Sequence, residues 1–367
     1  MVKRLFLCNT PYQLIVALML FRQLSRKGDI NDIILTNNFR NSEKVSKRLS
    51  EIKFFHRVYY ATINSVLFPK KWKSRVRKIL LFLFPERGVK KYLGEMLLGD
   101  YDEIYYNNDD LFLYNISYLC MKKKKDVKIF RFEEGYSTYI TPFCSVRAKK
   151  LCDIRNRWYL VGKFSDCFSG SYFYEPSLVL YSSSTPFFIL KRDRSEEFKQ
   201  MVSRLFEIPA QYRGIKEEWI VFEESFYEDT GFSEDLDLYK RINGILKEDM
   251  IVKMHPRSKK DRFTPEMIKT LQNDGIPWEA VLLSGAVGNK KFISLASGSI
   301  INSQLLLGEL GESWLLYRCT SQQIPNLNTE FEYFLKKLMD KGILTNLHVP
   351  DSFEDLERKL EERVYEN

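Results

Sequence analysis

Histidine is almost absent from this chain, with three in 367 residues. Metal centres or catalytic clusters built on imidazole are therefore confined to very few positions. Cysteine is sparse too: Cys8, Cys120, Cys144, Cys152, Cys167 and Cys319 form neither a CxxC pair nor a zinc-ligand spacing. A disulfide framework and a zinc module are thereby excluded, and free thiols in a reducing cytoplasm are expected. No run approaches the roughly 18 apolar residues of a membrane span. The opening segment Met1–Cys8 has too short an apolar run for a signal peptide. A Walker-type phosphate loop and the glycine-rich dinucleotide fingerprint are both missing, as are internal repeats and long low-complexity tracts.

What is present describes a soluble globular chain, 44% hydrophobic and 29% charged, with 27 Phe and 21 Tyr for thick cores. Its net charge of +9 favours anionic partners. The length suits two domains, a single large α/β domain being the alternative. Strand-like and helix-like segments alternate, which implies βα units around parallel sheets. Leu5 to Cys8 reads as a buried strand, and the next helix is capped by Thr10 with Pro11 first and Leu14, Leu18 and Phe21 on one face. Gly28 is expected to end it. Further strands are predicted at 32–36, 103–106 and 127–132, then at 219–222, 251–254 and 292–295. The stretch from about Tyr136 to Arg213 reads as helices and a crossover. Ser352 and Asp355 signal a last helix carrying Leu356, Leu360 and Val364.

Several motifs fall where predicted strands end, the place where open α/β sheets bind ligands. His255-Pro256-Arg257 follows the apolar run 250–254. A His and an Arg there suit an anionic oxygen, above all a nucleotide phosphate, while a plain strand-to-turn junction is the simpler reading. Glu133-Glu134-Gly135 puts two carboxylates after the strand 127–132; sharing a site would raise one pKa toward a general base, and an exposed acidic turn is the alternative. Ser297-Gly298-Ser299 opens the helical run 300–307 and offers hydroxyls, N–H groups and a positive dipole end to a phosphate, or merely caps the helix. Glu223, Glu224, Glu228 and Asp229 follow another strand and either handle a sugar hydroxyl or form a solvated loop. Glu279 is a lone carboxylate suited to ribose hydroxyls. Asp235-Leu236-Asp237 matches the letters of a metal motif but opens a helix, where acids favour the dipole without any metal. Finally, Lys70 to Lys78 is dense in Lys and Arg and leads into Ile79–Phe84, which suits anionic lipid headgroups or the basic outer face of a core helix.

Taken in order, Cys8-Asn9-Thr10-Pro11-Tyr12-Gln13, Glu133-Glu134-Gly135, His255-Pro256-Arg257 and Ser297-Gly298-Ser299 resemble the bacterial sialyltransferases. The set is most similar to glycosyltransferase family 52, the lipooligosaccharide and capsule sialyltransferases, and the bacterial polysialyltransferases have similar motifs. The resemblance runs from the first strand to about Leu307. It implies an α/β GT-B fold, two Rossmann-like domains facing a central cleft. The expected division is 1–205 on the acceptor side with the crossover, 206–345 for the CMP-sugar, and a C-terminal helix in 346–367 packing back on the first domain.

The resemblance also implies CMP-sialic acid as donor and inverting transfer to a sugar hydroxyl with no metal or other cofactor. By it, His255, Pro256, Arg257, Ser297, Gly298, Ser299 and Thr10 bind the donor, and His255 helps the leaving phosphate depart. Glu279 reaches the ribose. Glu133 or Glu134 supplies the base, with Glu228 and Asp229 as rivals. A glycan acceptor, lipid-linked if the basic segment meets an anionic membrane, would place the protein in the cytoplasm or on the inner membrane face. Another donor, CMP-Kdo or a nucleoside diphosphate sugar, is the enzymatic alternative. Dispersed basic residues without a recognition motif argue against a nucleic-acid partner.

Overall fold

In the computed structural model, residues 1–63, 72–94, 99–271, 275–308, 311–324, 327 and 329–365 are described, less the side chains of 72–74 and 364–365. Lys70 and Lys71 of the basic segment therefore lie outside the described residues, as does the side chain of Val364. The chain divides into two compact units, Met1–Asp193 and Arg194–Asn367.

The first unit is built on strands β1 (Lys3–Cys8), β2 (Ile30–Thr36), β3 (Arg57–Ala61), β4 (Glu103–Tyr106), β5 (Lys128–Phe132), β6 (Phe168–Phe173) and β7 (Phe187–Ile189). All are parallel, in the order β3-β2-β1-β4-β5-β6-β7. Their near-continuous apolar runs fit a sheet covered on both faces, and Leu5, Phe6, Leu7, Ile33, Ile34 and Leu35 have no exposed surface. Chain order reverses between β1 and β4, and in open α/β sheets ligands bind beyond the carboxyl ends of the strands at such a point.

The helix Pro11–Leu24 leaves β1 through Thr10, whose Oγ1 accepts the N–H of Gln13 at 3.1 Å. It ends at Leu24, four residues before Gly28, because Ser25 turns to extended backbone while its N–H still bonds Phe21. The stretch expected to be helices and a crossover instead supplies β6 and β7 as well as the helix Val146–Trp158. Gly170 permits this: a Cβ there would lie 2.5 Å from the Phe188 ring and 2.8 Å from the Pro186 carbonyl.

The second unit has β8 (Trp219–Phe222), β9 (Met250–Lys253), β10 (Thr270–Leu271), β11 (Lys291–Ser294), β12 (Ser313–Leu315) and β13 (Leu347–His348), parallel in the order β10-β9-β8-β11-β12-β13. Here the reversal lies between β8 and β11. The helix Glu196–Phe206, expected in the first domain, packs against the helix Trp278–Leu283 and belongs to this unit. The final helix Phe353–Tyr365, expected to return to the first domain, also belongs here. Arg241 of the helix Glu234–Ile245 covers the Phe353 ring, and Leu356 and Leu360 are fully buried. Among the described residues no helix is long and apolar enough to cross a membrane.

Candidate functional site

In the first unit, at the carboxyl ends of β1, β4 and β5, polar side chains gather around one carboxylate, Glu134, which follows β5. Its Oε1 accepts from the Thr10 hydroxyl at 2.9 Å. Its Oε2 accepts from the amides of Gln13 and Asn107, each at 2.6 Å. Neither amide can turn round without loss. The Gln13 carbonyl holds the Asn9 N–H at 2.6 Å, and the Asn107 carbonyl holds Arg131 Nε at 2.8 Å, so both NH2 groups are committed to Glu134. Burial pushes the Glu134 pKa upward against these three donors, which favour the ionised form.

Glu133 is a different kind of residue. It has no exposed surface and accepts from the hydroxyls of Tyr12 and Tyr139 and, at 3.0 Å, from the Tyr174 N–H. Burial alone raises it to about 7. The two neighbours do not share a site, as the sequence suggested they might. Their partners differ because successive residues of extended chain project to opposite sides.

In the second unit His255 stands two residues beyond β9. Its Nδ1 accepts the Arg257 N–H at 3.1 Å, which leaves the ring proton on Nε2. Burial, then the cations of Arg257 and Lys253, lower its pKa to about 4. The backbone there is anchored from below. Glu223 accepts the His255 N–H at 2.9 Å and the Ser258 hydroxyl at 2.6 Å, and it meets Arg262 at 3.3 Å. Arg262 is also paired with both oxygens of Asp235. Asp235 is thus committed to a buried guanidinium, and the helix position read from the sequence is the observed one.

Glu228 and Asp229 belong to this turn as well. Asp229 accepts from Ser225 at 2.7 Å and from Arg257 at 3.3 Å, while Glu228 accepts the Lys259 N–H at 3.0 Å. Arg257 also donates to Ser225 at 2.6 Å, and Pro256 is exposed beside it. The acids after β8 are not one solvated loop, because Glu223 and Glu224 are buried.

Across the reversal point, Ser297 caps the helix Gly298–Leu307 by accepting the Ser299 N–H at 3.1 Å. Ser297, Gly298 and Ser299 are half-buried, at the positive end of a ten-residue dipole. Beneath them Glu224 accepts the Ala296 N–H at 3.1 Å, and burial followed by the charge of Asp235 raises it to about 8. Glu279, in the first turn of Trp278–Leu283, is raised by burial and lowered by the charge of Lys253.

The predicted residues thus form two groups. Glu134 and Thr10 lie in the first unit, so the Thr10 side chain serves the carboxylate. His255, Pro256, Arg257 and Ser297–Ser299 follow strands of the second, and Glu279 lies in a helix of that unit. Sequence reasoning missed Asn107, Glu223's anchoring role, Lys253 and Arg262. Two of these had a signal: Asn107 directly follows a strand, and Lys253 is a charge inside an apolar run that stays 8% exposed.

No curated protein matches the sequence. Among solved structures, UDP-GlcNAc 2-epimerase from Methanocaldococcus jannaschii is 14% identical with a TM-score of 0.54, over 100% of this chain and 92% of that one. Spinosyn rhamnosyltransferase SpnG is 12% identical with a TM-score of 0.52, over 100% and 91%. An alpha/beta-galactoside alpha-2,3-sialyltransferase from Photobacterium phosphoreum is 11% identical with a TM-score of 0.51, over 95% and 98%. At these identities the likeness is one of fold, GT-B. The family profile described as Alpha-2,8-polysialyltransferase (POLYST) matches residues 4–310. With two parallel-sheet α/β units and its motifs at their strand ends, the chain belongs to the alpha-2,8-polysialyltransferase family and is a glycosyltransferase.

Proposed function

We propose that this protein is an inverting, metal-independent sialyltransferase that moves sialic acid from CMP-sialic acid to a sugar hydroxyl of a surface glycan, a capsule or lipooligosaccharide. In the proposed step the acceptor oxygen bonds to the anomeric carbon as the bond from that carbon to the CMP phosphate breaks. The acceptor proton passes to Glu134, and the departing phosphate keeps the bonding electron pair. His255 donates from Nε2 to that phosphate. Ser297, Ser299 and the helix N-terminus stabilise the growing negative charge electrostatically. One displacement with one base inverts the anomeric centre. Glu279 takes the ribose hydroxyls, and Arg257 adds a cation near the donor.

The observation that carries this reading is the hydrogen bond from the Arg257 N–H to His255 Nδ1 just beyond a strand end, which assigns the ring proton to Nε2. Such a ring donates to an oxyanion without first being protonated. Glu134 is preferred to Glu228 and Asp229 as base because burial raises its pKa toward that of a working base, whereas Asp229 is paired with the Arg257 guanidinium and Glu228 takes the Lys259 N–H in the His-Pro-Arg turn. A lipid-linked acceptor handled at an anionic membrane surface belongs to the same proposal.

The test is a donor panel of CMP-sialic acid, CMP-Kdo and nucleoside diphosphate sugars, each with galactoside acceptors. Transfer from CMP-sialic acid alone supports the reading. Transfer from another donor in its place overturns it.

A further inference from the structure

An apolar groove of about 520 Å³ lies between the helices Trp72–Leu83 and Val146–Trp158 of the first unit, and none of the residues discussed so far for chemistry lines it. Leu111 and Tyr114 form part of its lining, with Ile79, Phe82 and Leu83 from one helix and Ala148 and Leu151 from the other. The two helices are locked together: Tyr159 donates to the Leu83 carbonyl at 2.7 Å, and the buried Arg155 covers the Phe82 ring at 4.8 Å.

The apolar surface does not stop at the groove. Val76, Ile79 and Leu80 are 40%, 59% and 49% exposed, at a spacing that puts them on one helix face with Leu83. Leu151, Ile154 and Trp158 repeat that spacing on the other helix and are 47%, 52% and 71% exposed. Just past it, Leu160 is 95% exposed in left-handed backbone, φ 55°, a conformation a leucine adopts at a cost. A continuous apolar face of this kind marks an interaction surface.

Its charge identifies the occupant. The first helix carries four Lys or Arg and no acid; the second carries five and one acid, Asp153, which accepts the Ser165 N–H at 2.9 Å. Arg75, Arg77, Arg147, Lys150 and Arg157 are exposed around the apolar stripes. Apolar side chains that insert, basic side chains that meet phosphate, and a tryptophan at the boundary are the composition of an interfacial membrane anchor.

We infer that the paired helices Trp72–Leu83 and Val146–Trp158 are the face by which this protein docks on an anionic lipid bilayer. This gives the proposed lipid-linked acceptor a surface to be met on, yet the contact is independent of sugar chemistry and is tested without it.

The experiment is flotation of the full chain with vesicles of phosphatidylcholine alone or with added phosphatidylglycerol, at low and high salt. Wild-type protein floats with the anionic vesicles at low salt, and less at high salt or without phosphatidylglycerol. Ile79→Asp with Leu151→Asp abolishes flotation. Arg75→Gln, Arg77→Gln and Lys150→Gln together weaken it on the order of a hundredfold. Each variant keeps the wild-type melting profile and turnover on a soluble acceptor, since all these positions are exposed and outside the site. Failure of wild-type protein to float at low salt overturns the inference and leaves a protein partner for this face. Flotation unchanged in both variants also overturns it, placing membrane contact elsewhere.

Discussion

The ring nitrogen Nδ1 of His255 accepts the backbone N–H of Arg257 at 3.1 Å, and this one bond fixes where the imidazole keeps its proton. With the pKa lowered to about 4, the ring is neutral throughout the physiological range. His255→Ala should lower kcat by about 10²–10³ while keeping the wild-type circular dichroism and melting curve. Proton titration of His255 by NMR should show no transition near pH 6.5. The unfolded chain binds its proton near 6.5 and the folded one only near 4, so this residue makes the fold less stable as pH falls from about 6.5 to about 4. A ring that titrates near 6.5, or a folded variant with near-wild-type turnover, contradicts the assignment.

Glu134→Gln should cost about 10²–10⁴ in kcat with CMP binding unchanged, the usual worth of one positioned base. Because the Glu134 pKa is raised, the acid limb of kcat/KM should lie above the ordinary carboxylate range. Glu133→Gln should retain turnover, since Glu133 is sealed among Tyr12, Tyr139 and Tyr174. The reverse pattern would transfer the base role to Glu133.

Stability should depend on Glu224 between about pH 4.5 and pH 8. Its folded pKa is about 8 against 4.5 for the ordinary group, so the folded state holds a proton that the unfolded state releases. Its contribution is complete below about pH 4.5 and is lost as pH rises through 8. Glu224→Gln keeps the shape without the titration. The gain in Tm over wild type should therefore be larger at pH 8 than at pH 5, and an equal gain at both would refute the shift.

Asp235 gives a prediction about metals. Its oxygens are paired with Arg262, and removing one partner of a buried pair costs about 3–5 kcal/mol. Asp235→Asn should lower the unfolding free energy by roughly that amount, measured by denaturant titration. Sialyl transfer should continue in excess EDTA; strict dependence on added magnesium or manganese would restore Asp235 and Asp237 as metal ligands.

The carboxyl end of each sheet was legible because its signals are local. The strands 103–106 and 219–222 have the predicted bounds, and Thr10, Pro11, Ser297 and Ser352 announce their helices by capping chemistry. Edge strands were not legible. β7, β10 and β13 are two or three residues long and depend on a neighbour already in place, and in β6 Gly170 matters only once the Phe188 ring lies against it. Adjacent letters also misled: Glu133 and Glu134 look like a pair, yet the alternation of extended backbone separates them. Long-range anchors such as Arg262 with Glu223 are 39 residues apart and carry no spacing signal.

The most direct test of the account is CMP release from CMP-sialic acid, with and without a galactoside acceptor, by wild type, His255→Ala and Glu134→Gln. Acceptor-stimulated release by the wild type, lost in both folded variants, is the predicted result. Absence of CMP binding by the wild type, or stimulated release that survives both substitutions, would contradict it.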